Sequence, residues 1–557
     1  MVLWRRTQSR NARGIALPAP PRHGMVGWYE PGLWLSTGVQ VLVSTLLGQR
    51  FDYRIMEDTA GEQPVFDYSS WEQQRNESGN PPAFCFDYLA DTGDGWNSTH
   101  AVASLVAQEE LSLGATRLPR GRFLVVGGDE VYPCASKQSY AERLVAPFEA
   151  ALPTTGLTGP EVFAVPGNHD WYDGLVSFSR LFTPGRWLGG WATVQSRSYF
   201  AIKLPYRWWL WAVDIQLESD IDLGQREYFS EVVGPRLRQG DRVILASAEP
   251  DWIYGDIRDP AVESNLAFLE EQIIEPRRAE VYVWVAGDLH HYRRHQQVDN
   301  PRRHRIVCGG GGAYLVPTHQ SMFGPTGNIS RRTVEVGQVR FEQQCAFPSP
   351  ATSWRLSFLN LFFLLKNWRL GLLTGPVYAM ATWLQPAEPI DLTAFLSDRV
   401  RLAWGIAVFV VASFFASRSG QGGRDGRAFR LVGGVVHAAA HIALALFIAY
   451  LSAGLCRDLQ NPLHRLLGSF ALNLLGGAVL GPILLGLYLL VGSNLFGAHM
   501  DEAFSALRIQ DYKSFLRFRI QPDGSLEIFP VGLPRVPRHG DARAEYMLIE
   551  GPIVIPP

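Results

Sequence analysis

Cysteine is scarce and scattered. The five, Cys85, Cys134, Cys308, Cys345 and Cys456, are odd in number and contain no CxxC pair, which argues against a disulfide framework or zinc knuckle and suits a reducing compartment. Net charge is nearly absent too. With 51 basic against 53 acidic side chains, nothing recommends a nucleic acid as partner. Between Met1 and His23 the chain is polar and proline-rich, with neither an apolar h-region nor a cleavage site of small residues, so no secretory signal is expected. Gly309 to Gly312 lacks the GK[ST] ending of a nucleotide P-loop and reads instead as a turn after the run Arg305 to Cys308. No internal repeat is visible.

Apolar residues make up 47% of the chain, and they concentrate between 354 and 497. Leu370 to Leu384, Leu402 to Ala416, Leu431 to Leu455 and Leu466 to Gly492 are long apolar stretches, where a spanning helix needs about 20 residues. The first two are short, and Ser357 to Leu365, cut off by Lys366 and Arg369, reads as an interfacial helix or the start of a longer first span. Four spans are expected. Arg418, Arg424, Arg427 and Arg430 face only Asp425 between the second and third spans, whereas Glu388, Asp391 and Asp398 lie in the first connection. The arginine loop is therefore expected inside, which puts both the preceding domain and the C-terminal tail in the cytoplasm, on an integral protein of the cell (inner) membrane. His437 and His441, four residues apart near the start of the third span, share a helical face. They are expected either to satisfy their rings against a neighbouring helix, for instance near Asn473, or to line a polar notch open to the catalytic side.

The remaining chain divides accordingly. A polar tail covers 1–24, and 25–80 is an N-terminal segment in which Trp28 to Gln49 is apolar enough to lie on a membrane or to pack as a helix on its own domain. A catalytic domain is expected over 81–345, the bundle over 354–497, and a tail over 498–557 with a hairpin about Pro522-Asp523-Gly524. Within the catalytic region, β-rich runs (Phe123 to Val126, Val162 to Val165, Trp208 to Ile215, Val243 to Ala246, Val281 to Ala286) alternate with helical stretches, a pattern of the α/β class.

Polar chemistry sits where those runs stop. Asp91-Thr-Gly-Asp-Gly95, Gly127-Gly-Asp-Glu130, Gly167-Asn-His-Asp170 and Gly287-Asp-Leu-His-His291 follow in order. Glycine allows the sharp turn that projects the next side chain over a sheet edge, and Asp, Asn and His are ligands for hard or borderline divalent cations. Two cations bridged by one carboxylate would activate water and clamp a phosphoryl group. Asp94 and Glu130, beside glycines, are read as closing turns.

These clusters resemble the calcineurin-like metallophosphoesterase superfamily, whose pattern is D-x-[HG], GD, GNH[DE], a lone histidine and GHxH; the match runs from about 81 to 320, in a membrane-bound, multi-spanning bacterial-type setting. The resemblance implies an α/β/β/α sandwich, a β-sandwich flanked by helices. It also implies that Asp91 and His290 hold a first metal, Asp129 bridges, Asn168 holds a second, and His169, oriented by Asp170, stabilises charge or protonates the leaving oxygen. Three positions depart from the pattern: Gly93, Ala248 and Asp288 stand where histidines are usual. Asp288 can still ligate, and Glu249 is a further candidate, which would leave an oxygen-rich site favouring Mn²⁺ or Mg²⁺ over Fe or Zn. His291, Arg293 and His319 are candidates for substrate contact.

The resemblance implies hydrolysis of a phosphomonoester, phosphodiester or pyrophosphate by a metal-activated water, and the bundle directs attention to a phosphorylated lipid of the bilayer. Two other classes stay open: a soluble nucleotide or cyclic nucleotide phosphodiesterase merely anchored to the membrane, and a degenerate domain that senses a phospho-ligand and regulates the bundle.

Overall fold

The computed structural model describes residues 21–34, 63–75, 79, 81–155, 158–215, 221–258, 265–323, 330–384, 399–417, 423–538 and 544–557. Strands β1 (Phe84–Leu89), β2 (Phe123–Gly127) and β3 (Glu161–Val165) run parallel. All of β1 and β2 is buried, as expected when both faces of a parallel sheet are covered. A second sheet contains β4 (Trp208–Val213), β5 (Arg242–Ser247), β6 (Glu280–Ala286), β7 (Tyr292–Gln297) and β8 (His304–Cys308), with β4, β5, β6 and β8 parallel and β7 antiparallel to β8. Among the described residues each of these two sheets has nine strands.

The sheets meet through one apolar layer. Phe86, Phe123, Val125 and Phe518 of the first pack with Trp208, Leu210, Ile244, Val283 and Ile306 of the second. A core on the outer face of the first sheet includes Ala101 to Val106 of the helix Trp96–Val106, and one on the second takes Phe229, Val233, Leu269 and Ile273 from its helices. The result is a mixed α/β sandwich covered by helices on both sides.

The segment after 497 is not a separate tail. Strands β9 (Lys513–Ile520) and β10 (Leu526–Leu533) form an antiparallel hairpin, and β9 pairs with β1, setting Arg517 opposite Asp87. The guanidinium Nε and Nη2 donate to the Asp87 carboxylate at 2.7 and 3.0 Å, with both side chains buried. A hairpin from the C-terminal segment thus extends the first sheet at β1.

Between β8 and β9 the chain builds the bundle: α1 (Gly371–Ala379), α2 (Arg399–Ser417), α3 (Gly423–Leu455) and α4 (Pro462–Val491). Among the described residues, two helical stretches have the length and composition to cross a membrane, Val432–Leu455 and Pro462–Phe496, while Leu402–Phe415 is a shorter apolar one. The expected first span departs from a regular helix. Helix α1 is only nine residues long, carries Pro376 inside it, where one donor is missing and the preceding turn is crowded, and passes into a 3₁₀ turn over Met380–Leu384. The connection with Glu388, Asp391 and Asp398, and Arg418 of the arginine loop, lie outside the described residues.

His437 and His441 are engaged inside the bundle, with partners other than Asn473. Their Nε2 atoms are 3.0 Å apart, Tyr378 Oη lies 2.7 Å from His441 Nδ1, and the His437 ring stacks on Tyr488 with centroids 4.0 Å apart. Asn473 instead donates to Ser452 Oγ at 2.7 Å. Trp28 and Tyr29 pack on the protein: Tyr29 meets Phe363 edge-on at 5.0 Å. The rest of the apolar stretch, from 35, lies outside the described residues.

Candidate metal centre

Each expected cluster follows the C-terminal end of a strand: Asp91 after β1, Asp129 after β2, Asn168 and His169 after β3, Asp288 and His290 after β6. Asp91, Asp129, Asp288 and His290 all take positive φ, between 43° and 69°. Such backbone is costly for residues with a Cβ and marks functional sites when the surroundings enforce it. Asp91, Asp129 and His290 come together, each offering a ligand atom within 4.8 Å of the others, and all three are buried.

Hydrogen bonds fix the direction of each group. His290 Nδ1 lies 2.9 Å from the Tyr314 carbonyl, an acceptor only, so Nδ1 carries the proton and Nε2 turns its lone pair toward the carboxylates. This tautomer is that of a histidine ligand with its second nitrogen anchored. Asp91 Oδ2 accepts from the Asp288 amide at 2.8 Å, and Asp129 Oδ1 from the His169 amide at 2.9 Å. Gly309 is pressed on the Asp91 carboxylate, where any Cβ would collide with Oδ2, so the glycine run packs against the site rather than merely turning the chain. Gly93, at φ 57°, has the Glu130 carbonyl where a Cβ would sit, which explains why no histidine stands there.

Electrostatics show what the cluster is short of. Burial, then Asp129 and Asp288, raises the Asp91 carboxyl well above its ordinary range. Burial also pushes Asp129 up to about 6, with Asp170 adding to the shift and His169 opposing it. Burial, Lys513 and His169 hold His290 well below the ordinary imidazole value. Asn168 Oδ1 is buried without a hydrogen-bond partner. Crowded carboxylates, an outward imidazole lone pair and an orphaned amide oxygen together fit a divalent cation.

Other expectations are redistributed. Asp170 does not orient the His169 ring: its carboxylate accepts from the Gly167 amide at 2.9 Å, the Glu130 amide at 3.2 Å and Tyr140 Oη at 2.6 Å, holding the loop. His169 Nδ1 instead faces the Pro133 carbonyl at 2.6 Å. The Asp288 carboxylate accepts from Tyr254 Oη, and neither it nor Glu249 joins the three-ligand group. Ala248, in the usual histidine position, lies against Gly128. Asp94 accepts from the Val26 and Tyr314 amides at 2.7 and 2.9 Å, while Glu130 is buried beside Asp170, its carboxyl raised by burial and by that neighbour.

The three expected substrate contacts are buried. His291 Nδ1 meets the Val316 carbonyl at 3.1 Å, His319 Nδ1 meets Ser353 Oγ at 2.8 Å, and Arg293 lies in the interior of β7. Packing of the loop after β8 and of the helix Pro350–Ser357 removes them from the surface.

Sequence reasoning missed three residues. Tyr132 Oη lies 2.8 Å from His290 Nε2, 3.0 Å from Asp129 Oδ2 and 3.3 Å from Asp91 Oδ1. Its place three residues after Asp129 was the available signal. Lys513 enters from β9, fully buried, and donates from Nζ to the Ala313 carbonyl at 2.6 Å. Trp28 packs edge-on against Tyr132, His169 and Tyr314, at 6.3, 5.9 and 5.8 Å.

No family model matches this chain, and comparison with curated proteins gives no match. Two solved structures are similar to part of it. A purple acid phosphatase isolated from yellow lupin (Lupinus luteus) seeds is 14% identical, with a TM-score of 0.27, over 42% of this chain and 45% of that one. PhoD is 12% identical, with a TM-score of 0.27, over 43% of this chain and 59% of that one. In both cases this chain spans less than two thirds of the other's length.

Proposed function

We propose that the chain is a metal-dependent phosphoester hydrolase set at a membrane surface. The observation that carries this reading is the buried convergence of Asp91, Asp129 and His290 at strand ends, with the imidazole lone pair turned inward. A divalent cation held by these residues, and a second shared by Asp129 and Asn168, would supply charge for phosphoryl oxygens and lower the pKa of a water. The oxygen-rich donor set favours Mn²⁺ or Mg²⁺, with Fe and Zn next.

The chain's own groups prepare the rest. The amides of Asp288 and His169 hold the carboxylates in place, which preorganises the donors. His169, its Nδ1 proton fixed on Pro133, presents Nε2 as the atom that receives or returns a proton at the leaving oxygen. Trp28 screens one side of that imidazole from water. The substrate class is a phosphomonoester, phosphodiester or pyrophosphate, with a phosphorylated lipid favoured by the bundle.

Membrane embedding is supported by the outward apolar surface of the bundle, where Phe409, Val411, Phe414, Phe447, Tyr450 and Leu475 are exposed. Exposed apolar side chains on three helices support a non-aqueous neighbour. The orientation proposed is cytoplasmic for the catalytic layer, at the inner membrane.

A second reading concerns stoichiometry. Ala248 has no ligand atom and the Asp288 carboxylate is engaged by Tyr254, which favours one cation over two. Metal content of detergent-purified protein, followed by phosphatase and phosphodiesterase assays with soluble and lipid substrates, tests both readings. Asp129→Asn should abolish hydrolysis with the fold retained; near-normal turnover of that variant would refute the assignment.

A further inference from the structure

Where the catalytic layer meets the first bundle helix, a cavity of about 210 Å³ is lined by Glu30, Lys366, Asn367, Trp368, Arg369 and Arg508. Backbone carbonyls, rather than carboxylates, anchor two of its three cations. Lys366 Nζ donates to the Leu507 carbonyl at 2.6 Å, and Arg508 donates to the Lys366 carbonyl and to Asn367 Oδ1, the latter at 3.2 Å. The one carboxylate in the lining, Glu30, lies 2.8 Å from Arg369 and 3.9 Å from Arg508. One acidic group therefore faces three basic ones. Burial, with Arg508 and Arg538 nearby, lowers the Lys366 ammonium below its usual pKa, against a smaller opposing effect of Asp511. Arg508 is also held at φ 48°, a costly conformation for a residue with a Cβ that the surrounding structure enforces.

The residues that flank this lining in sequence are of opposite character. Leu365, next to Lys366, is 74% exposed, Leu372, three residues after Arg369, is 65% exposed, and Trp368 of the lining itself is 57% exposed. A cationic lining flanked by exposed apolar side chains is the profile of a site for a phospholipid at the boundary of headgroup and acyl chains, where tryptophan is also enriched.

We propose that this cavity binds the phosphate of an anionic phospholipid, with acyl chains along Leu365, Trp368 and Leu372, and that Glu30 is the built-in counterion the phosphate displaces. The inference rests on the reading that the bundle lies in a membrane. A zwitterionic headgroup would bring its own cation to the same three basic groups, so the site discriminates by headgroup charge. Glu30 is one-third exposed and can turn to solvent when displaced.

The test uses the full-length chain in detergent, titrated with phosphatidylglycerol, phosphatidylcholine or inorganic phosphate and read by native mass spectrometry. Phosphatidylglycerol should be retained about tenfold more tightly than phosphatidylcholine. The Arg369→Gln, Arg508→Gln double variant should bind the two lipids alike, and Glu30→Gln should bind phosphatidylglycerol more tightly than the unaltered chain. These opposite signs separate a binding role from a structural one, and Glu30→Gln carries the test alone if the double variant fails to fold. Equal retention of both lipids by the unaltered chain, or weaker binding by Glu30→Gln, overturns the proposal. Inorganic phosphate bound as well as the lipid would show that the flanking apolar side chains are not used, which overturns the lipid as source. Alkaline carbonate extraction of native membranes separates the two levels of the argument: release of the protein refutes the membrane reading, whereas retention combined with indifference to headgroup charge refutes only this site.

Discussion

The phenolic oxygen of Tyr132 stands 2.8 Å from Nε2 of His290, on the side of the ring that carries the lone pair. Since Nδ1 is protonated toward Tyr314, Tyr132 is the donor, and its hydroxyl occupies the point on which the two carboxylates also converge. A cation held by Asp91, Asp129 and His290 would take over that lone pair, with Tyr132 Oη left facing it as a further oxygen donor, so Tyr132→Phe should lower metal affinity by at least the about tenfold lost when a group behind a ligand is removed. Titration calorimetry measures this, with circular dichroism to check the fold; unchanged affinity would remove Tyr132 from the site.

Asn168 and His169 are adjacent but should fail differently. Asn168→Ala deletes the orphaned oxygen and should lose metal. His169→Ala should keep the metal while turnover falls by about 10² to 10⁴. Comparable metal loss in both variants would refute the division.

Arg517→Met would leave the Asp87 carboxylate buried without its bidentate partner. Breaking such a pair costs about 3 to 5 kcal/mol, whereas replacing both members by apolar residues is often neutral. Thermal unfolding should therefore show a large loss in Arg517→Met and a substantial recovery in the Asp87→Leu, Arg517→Met double variant. Equal destabilisation of the two would mean that β9 is held by other contacts.

Orientation is open to direct measurement. With cysteines introduced singly at 391 and 422 in an otherwise cysteine-free chain, an impermeant maleimide should label the first in intact cells and the second only after lysis. The reverse pattern would place the catalytic layer outside the cytoplasm.

The residues of the candidate site stood out because their signal is local: a strand-like run that ends in a short turn containing glycine and a polar side chain. Asp129 and Asn168 directly follow a glycine, His290 comes three residues after Gly287, and Asp91 follows Ala90 with its glycine, Gly93, two residues later; the structure brings Asp91, Asp129 and His290 together. Tyr132 was hidden because a tyrosine after a turn reads as core. Asp170 was misassigned because adjacency to His169 in sequence does not say which hydrogen bonds the loop closes. The hairpin in the C-terminal segment was visible from Pro522-Asp523-Gly524, but its attachment was not. Arg517 and Asp87 are 430 residues apart, and no periodicity within Lys513–Ile520 indicates which edge it will join. His437 and His441 pointed to an interior face, yet their partners depended on how the helices are rotated, which hydropathy leaves undetermined.

The seat of β9 between β1 and β10 also sets an order of events during synthesis. A ribosome delivers Asp87 early and Arg517 only after the whole bundle has been made, so the first sheet waits with this edge of β1 unpaired while the intervening helices are synthesised. An exposed edge of that kind invites pairing with another chain. Synthesis of the bundle thus precedes completion of the first sheet, and a fragment ending near 345 would lack both the strand that covers this edge and Lys513, whose charge acts on His290.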